Sequence, residues 1–567
     1  MKRLYVLLFV IILYQTAFAD HLSGSLQLTA RMTGAQEVPP VAGAAQGLGI
    51  FTLSLDKQEI FIEVAAADLT GPITGIHVHE GAVGATGPVV FNLSGDIDGC
   101  RVTSLLTGFT TAERAKFLAG DYYLNVHTAA NPGGEIRAQI LLETDFRYTA
   151  YLNGANEVPA VTTPALGWGS FNLSKAGHEL EINISTTGLT GPIIGAHLHL
   201  GAAGTTGGVI ENLTGFIQGA SIVNAVVDPT AYAADIAAGN VYINVHTTAN
   251  PGGEIRAQLI LQPALTFDAF ATGAQEVPPV ATNAFGLGTV NVDFNLNTLT
   301  FHLIADGLSG PITGAHIHAG GVGSNGGVVY DLTPLINGNE IIGMLPLTDI
   351  ASLNAFLSGE YYWNIHTDAN PGGEIRGQVY KLAREGYSYT FDGTNEVPPS
   401  TCAGSGVGMA TIDRNQSNNH FMMVVCEMNE PIAAAHFHNA PAGNNGGVVF
   451  DLGPSFANFN NTAAYGYWTA NDMPPFTSAN SLMFRENEIY ANIHTANCPG
   501  GAIRGNSIRG RDLDFVIQPP VVVENSIPTM SEWGLIILSL LMLIVGTVNV
   551  ISRNRTPHLA ITSHESN

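Results

Sequence analysis

The sequence predicts an all-β chain of four tandem Greek-key or immunoglobulin-like β-sandwich or barrel domains, followed by a C-terminal transmembrane helix. Three observations predict it. Only 12% of the 567 residues are charged, whereas 65 are Gly and 29 are Pro, which favours short strands and tight turns over Lys- and Glu-rich surface helices. Short apolar runs alternate with polar residues along the chain. Three motifs recur in the same order four times, with a period of about 120 residues.

The N-terminus has the layout of a secretory signal peptide over residues 1–19. Lys2 and Arg3 precede the apolar run 4–13, and Ala19 closes the leader with a small residue. The alternative is an anchor that stays attached, but the run is short for a membrane span. We therefore expect export and cleavage after Ala19.

The C-terminus carries a second apolar run, 535–551, which is just long enough to span a bilayer. The string IPTMSEWG at 527–534 stands before it, and Arg553 and Arg555 follow. This arrangement resembles the IPTL-CTERM family of bacterial sorting tails, with Met530 where the family has Leu. The resemblance implies a cell-envelope or surface location in a bacterium, membrane association through the helix, and an exosortase-type protease as a partner. A plain C-terminal anchor is the alternative.

Charge and cysteine content exclude several classes. The formal net charge of −25 repels phosphate backbones, so nucleic acid is not expected as a partner. Four Cys in a chain of this length do not form a disulfide scaffold. Cys100 is the one Cys of the first repeat, and Cys402, Cys426 and Cys498 all fall in the fourth, so export makes a Cys402–Cys426 bridge possible without the sequence deciding it. A zinc site built from these cysteines is disfavoured because no two lie close in sequence.

The recurring motifs are an Asn/Gln-Glu-Val-Pro segment, a His-x-His pair and an Asn-x-His-Thr segment. They divide the chain into a signal peptide (1–19), four repeats (25–143, 145–262, 264–382 and 385–515), a linker (516–526), a sorting signal (527–555) and a polar tail (556–567). Short linkers near Thr144, Pro263 and Ala383 predict an array of semi-rigid beads.

Within one copy, Phe51 and Leu53 alternate with polar residues, as expected of a half-buried strand. One short helix is predicted at 111–118, with Thr110 or Thr111 as its N-cap. The fourth copy is longer than the others, and its extra residues are predicted to form a loop over 458–475.

The histidines are the candidate site residues. In a strand, residues i and i+2 share a face, so His77 and His79 point together while Val78 points to the core. In the third motif Val126 is predicted to face the core, so the next residue, His127, faces the other side of its strand. The three imidazoles converge if their strands are neighbours. Such a set suits Cu or Zn. The candidate metal ligands are His77, His79, His127, His197, His199, His246, His316, His318, His366, His436, His438 and His494. The alternative is a structural role, in which the imidazoles hydrogen-bond the backbone of the Asn-Pro-Gly-Gly turn.

Two charged positions recur as well. The first-motif Glu (Glu37 in the first copy) and the Arg after the Gly-Gly turn (Arg137) predict a structural pair that holds the edge loop to the last strand. Glu135 and its equivalents are candidate acids, but Ala502 stands at that position in the fourth copy. Chemistry that required this carboxylate could not run in every repeat.

With these motifs assembled, each copy resembles a CHRD domain, the module named from chordin. The strings that carry the resemblance are GAQEVPP at 34–40, LTGPITGIHVHEGAVGATGPVVFNL at 69–93 and NVHTAANPGGEIRAQI at 125–140. The resemblance implies an extracellular β-rich module. The string HVHE is also similar to the copper strand of copper/zinc superoxide dismutase, although no counterpart of the Asp-containing zinc loop is found.

The sequence therefore favours an exported cell-surface or matrix-associated binding or adhesion protein, with an extracellular polysaccharide or protein as ligand and no catalysis. No nucleophile elbow or phosphate loop is found. The alternative is a Cu- or Zn-binding protein or a dismutase-like oxidoreductase that uses three His per repeat.

Overall fold

The computed structural model describes residues 26–54, 59–108, 110–262, 265–293, 298–458 and 460–509. The signal peptide and the whole C-terminal tail, including the transmembrane helix expected at 535–551, lie outside these residues. No helix in the described ranges is long and apolar enough to cross a membrane.

Strands dominate all four repeats, which confirms the all-β prediction. In repeat 1 they are β1 (Leu26–Thr33), β2 (Gln46–Leu53), β3 (Glu59–Ala67), β4 (Ile73–Glu80), β5 (Val89–Asn92), β6 (Ile97–Asp98), β7 (Arg101–Thr107), β8 (Tyr122–Thr128), β9 (Ile136–Gln139) and β10 (Leu141–Leu142), with helix α1 (Thr111–Ala119). In repeat 2 they are β11 (Phe146–Asn153), β12 (Leu166–Leu173), β13 (Leu180–Thr187), β14 (Ile193–Leu200), β15 (Val209–Asn212), β16 (Ile217–Gln218), β17 (Ser221–Val227), β18 (Val241–Thr247), β19 (Ile255–Gln258) and β20 (Ile260–Leu261), with α2 (Ala233–Ala237).

The other two repeats follow the same order. Repeat 3 contains β21 (Thr266–Thr272), β22 (Phe285–Asp293), β23 (Thr298–Asp306), β24 (Ile312–Ala319), β25 (Val328–Asp331), β26 (Ile336–Asn337), β27 (Glu340–Pro346), β28 (Tyr361–Thr367), β29 (Ile375–Gln378) and β30 (Tyr380–Lys381), with α3 (Ile350–Leu357). Repeat 4 contains β31 (Glu385–Asp392), β32 (Ser405–Ile412), β33 (Asn418–Cys426), β34 (Ile432–Asn439), β35 (Gly447–Asp451), β36 (Ala463–Thr469), β37 (Ile489–Thr495), β38 (Ile503–Asn506) and β39 (Ile508–Arg509), with α4 (Gly453–Ala457) and α5 (Ser478–Arg485).

Each repeat is one antiparallel sheet that curls on itself. In repeat 1 the strand order is β5-β4-β8-β9-β1-β2-β3-β7-β6, and β10 also pairs with β1. The β1–β2 ladder runs in full from Leu26↔Leu53 to Thr33↔Gln46, whereas β1 meets β9 only at Thr33↔Arg137. The sheet therefore bends sharply at β1 and encloses a core on its concave face.

The core follows the alternation read from the sequence. Leu28, Phe51, Ile62, Val78 and Val126 are fully buried in one cluster that fills the concave face. Because side chains alternate along a strand, the residues between them face outward, which places the histidines of β4 and β8 on the opposite surface. The aliphatic residues of these strands thus turn inward and the imidazoles turn away, as the alternation predicts.

Helix α1 begins where a capping box predicts it. The Thr110 hydroxyl accepts a hydrogen bond from the Glu113 backbone N–H, and the Glu113 carboxylate accepts one from the Thr110 backbone N–H. Thr110 is thus the N-cap, which decides between the two candidate residues. Gly120 ends the helix in the left-handed region, at φ +77°.

The loop predicted over 458–475 is partly wrong. Strand β36 lies inside this stretch and pairs with β33, from Asn418↔Thr469 to Val424↔Ala463. The Trp468 side chain is fully buried, and its indole N–H donates to the Pro474 carbonyl at 2.8 Å. Burial of the Trp ring and the hydrogen bond of its N–H stabilise this strand. The Asn-rich segments on either side of it are the reason why the sequence predicts a loop instead.

The repeats are not beads on a string. Repeat 1 and repeat 4 pack their convex faces together, and a buried cluster there includes Leu48 and Ile50 of β2 and Met422 and Val424 of β33. Repeats 2 and 3 pack likewise, and the Trp168 ring stacks on His302 with centroids 3.8 Å apart. A strand that is buried on both faces has an uninterrupted apolar run in its sequence, and residues 421–426 of β33, FMMVVC, form such a run.

The two described linkers also contact each other. Thr144, between repeats 1 and 2, forms an antiparallel bridge with Ala383, between repeats 3 and 4. Beside it the buried Arg384 guanidinium donates to the Asp145 carboxylate at 2.7 Å. Arg414 of repeat 4 adds ion pairs to Glu181 of repeat 2 and Asp268 of repeat 3, each at 2.7 Å. Charged side chains thus join repeats 2, 3 and 4 to one another.

The cysteines do not form the Cys402–Cys426 bridge that the sequence left open. Cys100 is bonded to Cys426, and Cys402 is bonded to Cys498, so no free thiol remains among the four. The first bond joins repeat 1 to repeat 4 across 326 residues of chain. This pairing was hidden from the sequence because it depends on the packing of two repeats that are remote along the chain.

Candidate metal centre

The three histidines of each repeat lie on two neighbouring strands. In repeat 1, His77 and His79 are on β4 and His127 is on β8, and the register places Gly75 opposite His127 and His77 opposite Asn125. Gly75 leaves room for the imidazoles, since a Cβ there would lie 3.3 Å from His77 Cε1. Alternating residues on paired antiparallel strands share a face, so the three imidazoles meet on the convex surface.

The imidazole nitrogens converge. One nitrogen of each of His77, His79 and His127 lies within 4.8 Å of the other two. The shortest separation is 3.0 Å, between His77 Nδ1 and His127 Nε2. The 3.0 Å separation is close to that between two ligand atoms of one small ion, because Zn–N bonds are about 2.0–2.1 Å long, and the limit of 4.8 Å places the third nitrogen within a small side-chain movement of the same position.

Backbone carbonyls set the tautomer of two of the rings. His79 Nδ1 donates to the Gly87 carbonyl at 2.9 Å, and His127 Nδ1 donates to the Pro132 carbonyl at 3.1 Å. A carbonyl only accepts, so each Nδ1 carries the proton and each Nε2 keeps its lone pair. The Nε2 of His79 is buried and has no hydrogen-bond partner in the described part of the chain. Metal-ligating histidines typically donate their other ring N–H to a backbone carbonyl in this way.

The same arrangement recurs in every repeat. The carbonyls that accept from the second and third imidazole are Gly207 and Pro251 in repeat 2, Gly326 and Pro371 in repeat 3, and Gly446 and Pro499 in repeat 4, at 2.9–3.2 Å. The corresponding triads are His197–His199–His246, His316–His318–His366 and His436–His438–His494. In each, the Nε2 of the second histidine is buried without a partner among the described residues.

Burial favours the neutral form of several of these imidazoles by lowering the pKa of each. It lowers the pKa of His77 and of His127 below the ordinary value of 6.5, and the neighbouring histidines lower the pKa of each further. The pKa of His246 and of His494 is lowered by the same causes. Neutral imidazole is the form that binds a metal ion, so the environment favours ligation over protonation.

An aromatic stack supports the second histidine. The Tyr123 ring stacks on His79, with centroids 4.8 Å apart and planes 10° apart, and the Arg137 guanidinium lies 3.6 Å from the other face of the ring. The Tyr123 hydroxyl accepts from the Gly87 N–H at 3.1 Å. The equivalent stacks are His199–Tyr242–Arg256, His318–Tyr362–Arg376 and His438–Tyr490–Arg504. The tyrosine is not among the residues predicted for the site, although a Tyr recurs four residues before each third-motif histidine.

The predicted Glu37–Arg137 pair is only partly confirmed. No ion pair joins the two side chains within the described ranges; Arg137 instead donates to the Ala85 carbonyl at 2.8 Å while it stacks on Tyr123. Burial raises the pKa of Glu37 to about 7, and the charge of Arg137 opposes the rise. The two residues interact electrostatically, but each has a separate structural role.

Glu135, a candidate acid, holds a turn together. Its carboxylate accepts from the Thr70 N–H at 2.7 Å, from the Thr70 hydroxyl at 2.6 Å and from the Thr128 hydroxyl at 2.6 Å. These bonds lower the pKa of Glu135 despite its burial. A carboxylate with all its acceptor sites occupied in this way is a structural clamp on the turn that carries Pro132.

The histidines therefore make the hydrogen bonds expected of a structural role and also have the arrangement that suits metal binding. The Nδ1 atoms of His79 and His127 do bond loop backbone, as a structural role requires. His127 Nε2 lies 3.0 Å from His77 Nδ1, and one nitrogen of each of the three rings lies within 4.8 Å of the other two, so three-nitrogen ligation is compatible with these backbone contacts.

Comparison with protein families matches this architecture. The model of the CHRD domain matches residues 28–140, 148–259, 267–379 and 387–506, which together exceed half of the chain. The chain belongs to the CHRD family. An IPTL-CTERM motif matches residues 525–546, so the CHRD repeats precede a sorting tail of the kind that implies export and cell-surface attachment in bacteria.

Individual relatives of these CHRD repeats are distant. Chordin from Danio rerio is 30% identical over 154 residues, which cover 25% of this chain and 16% of chordin. The match therefore spans only a small part of chordin. A solved structure of intact Ap-TbpB, with N and C lobes, is 9% identical and covers 87% of this chain and 97% of that one, but its TM-score of 0.10 supports no shared fold.

Proposed function

We propose that this CHRD protein is an exported, surface-associated binding protein in which each repeat holds one copper or zinc ion through three histidines. The observation that carries the proposal is the convergence of twelve histidines into four triads, each with its ligand nitrogens within 4.8 Å of one another. Three imidazoles leave a coordination position open on a tetrahedral ion. No catalytic step is part of the proposal.

The chemistry of the donors supports copper or zinc over harder ions. Imidazole nitrogen suits Zn and Cu, whereas Ca and Mg prefer oxygen. The carbonyl contacts of His79 and His127 hold each ring in the required tautomer before an ion arrives. A site whose ligands are already oriented loses little conformational entropy on binding.

The position of the sites in the sheet supports a binding role. The triad strands β4 and β8 lie at one end of the strand order, whereas β2 and β3, which pack against the neighbouring repeat, lie towards the other. The open coordination positions are thus left for an external ligand, such as an extracellular polysaccharide or a protein side chain of the surrounding matrix. Four such sites on one unit raise avidity for a repetitive ligand.

Metal uptake by the chelator-free protein tests the proposal. We expect about four Zn²⁺ or Cu²⁺ ions per chain by equilibrium dialysis and elemental analysis, one for each triad. Replacement of His77 and His79 by Gln should remove one ion. The matched control is His178→Gln, because His178 belongs to no triad. Uptake that does not differ between the variant and the control would contradict the proposal.

A further inference from the structure

The turn that follows the third-motif histidine is held differently in repeat 4. In repeat 3 the Glu374 carboxylate ties three segments together: it accepts from the Ser309 N–H at 2.8 Å, from the Thr367 hydroxyl at 2.7 Å and from the Thr282 hydroxyl at 3.0 Å. Glu254 of repeat 2 makes the same kind of contacts. The clamp holds the turn to the loop that follows the first motif.

Repeat 4 lacks this carboxylate. Ala502 stands at the position of Glu374, and its side chain is fully buried and offers no polar atom. Cys402 stands at the position of Thr282 and Cys498 at the position of Asn370, and their sulfur atoms are bonded. A covalent bond thus joins the two segments that the carboxylate joins in repeat 3.

The disulfide lies next to the group that orients a metal ligand. Cys498 directly precedes Pro499, whose carbonyl accepts from His494 Nδ1 at 3.0 Å. The Cys498 carbonyl accepts from the Thr495 N–H at 3.3 Å and from the Gly501 N–H at 3.1 Å, which closes the turn. The only covalent attachment of this turn to a neighbouring loop, within the described residues, is the bond to Cys402.

We propose that the Cys402–Cys498 disulfide is a positioning element for His494, so that metal binding in repeat 4 depends on thiol redox state, whereas binding in repeats 1–3 does not. This inference rests on the proposed metal-binding function. A dithiol reductant would transfer two electrons and two protons: the Cys402–Cys498 bond breaks, two thiols form, and the reductant becomes a disulfide. The turn then keeps the hydrogen bonds from Asn497 to the Glu430 carboxylate but loses its tie to the loop that carries Cys402, so the Pro499 carbonyl no longer fixes the tautomer and direction of His494.

Variants test this without a reductant that would itself bind metal. Full-length protein carrying Cys402→Ser and Cys498→Ser is dialysed against buffered free Zn²⁺, and bound zinc is measured. We expect three tightly bound ions and a fourth bound at least about tenfold more weakly, since loss of an outer contact to a metal ligand typically costs that much affinity. The matched control, Cys100→Ser with Cys426→Ser, removes the other disulfide and should keep four tight sites.

A rescue variant separates positioning from general stabilisation. Cys402→Thr, Cys498→Asn and Ala502→Glu together introduce in repeat 4 the equivalents of Thr282, Asn370 and Glu374 of repeat 3, and we expect four tight sites to return without any sulfur. If the serine variant does not fold, as judged by circular dichroism, the rescue variant alone decides, because it also lacks both cysteines.

The outcomes are distinguishable. Four equally tight sites in a folded serine variant, or three in a folded rescue variant, would overturn the positioning role of the disulfide. Native oxidised protein that takes up no Zn²⁺ would instead overturn the proposed metal-binding function, on which the inference depends.

Discussion

Cys100 of the first repeat is bonded to Cys426 of the fourth, at the edge of the interface where the convex faces of β2 and β33 meet. The bond links parts of the chain that are 326 residues apart. Together with the contact between Thr144 and Ala383, it turns four successive repeats into a closed unit. A closed unit holds its four histidine triads at set separations, which an array of beads would not do.

Replacement of Cys100 and Cys426 by Ser should destabilise the contact between repeats 1 and 4. A disulfide stabilises mainly by restricting the unfolded chain, and removal of one typically costs about 2–4 kcal/mol. We expect a lower thermal unfolding temperature for the variant. A nick introduced by protease near residue 263 provides a second measurement, because the native halves should then stay joined on a non-reducing gel. Separation of the native halves without reductant would show that the bond does not form.

The buried first-motif glutamates should make stability depend on pH. Burial raises the pKa of Glu37, Glu157, Glu276 and Glu396 to about 7. The folded protein therefore binds more protons than the unfolded chain between about pH 4.5 and 7, and this contribution to stability is present below that window and is lost as the pH rises through it.

The measurement compares native protein with a variant in which all four glutamates are Gln, both metal-free. The histidines titrate in both proteins, so the difference between their unfolding temperatures isolates the glutamates. We expect the stability of the native protein relative to the variant to fall between pH 5 and pH 7 and to level off above it. A difference that does not change with pH would mean that these carboxyl groups titrate normally.

Gly134→Ala should destabilise repeat 1. Gly134 has φ +128°, and an added Cβ would lie 2.5 Å from Asn125 Oδ1 and 2.7 Å from Glu37 Oε1. Because backbone strain and a steric clash act together, we expect a loss of about 1–3 kcal/mol in the free energy of unfolding. The control is Gly133→Ala, since a Cβ at Gly133 meets nothing within 4 Å. Chemical denaturation of the two variants side by side measures the difference, and equal stability would contradict the structural role of Gly134.

Much of the site could be predicted from local sequence. The alternation of Val78 with His77 and His79 fixes which face each side chain takes, because the period of a strand is two. The capping box at Thr110 and Glu113 is likewise local, and the helix begins there. In contrast, the stack of Tyr123 between His79 and Arg137 joins three strands, and its sequence signal is only the recurrence of Tyr and Arg at set distances from the histidines.

The repeat architecture and the face that each histidine takes follow from the sequence, because motifs recur every 120 residues or so and side chains alternate along a strand. The meeting of the three imidazoles needed the pairing of β4 with β8, and the disulfide partners and the packing of repeat 1 on repeat 4 and of repeat 2 on repeat 3 likewise became visible only in the folded chain. Contacts between remote parts of a chain depend on the shapes of complete folded surfaces. Met422 and Trp168 are large apolar residues of the kind found in protein cores, but the sequence around them does not show which surface packs against them.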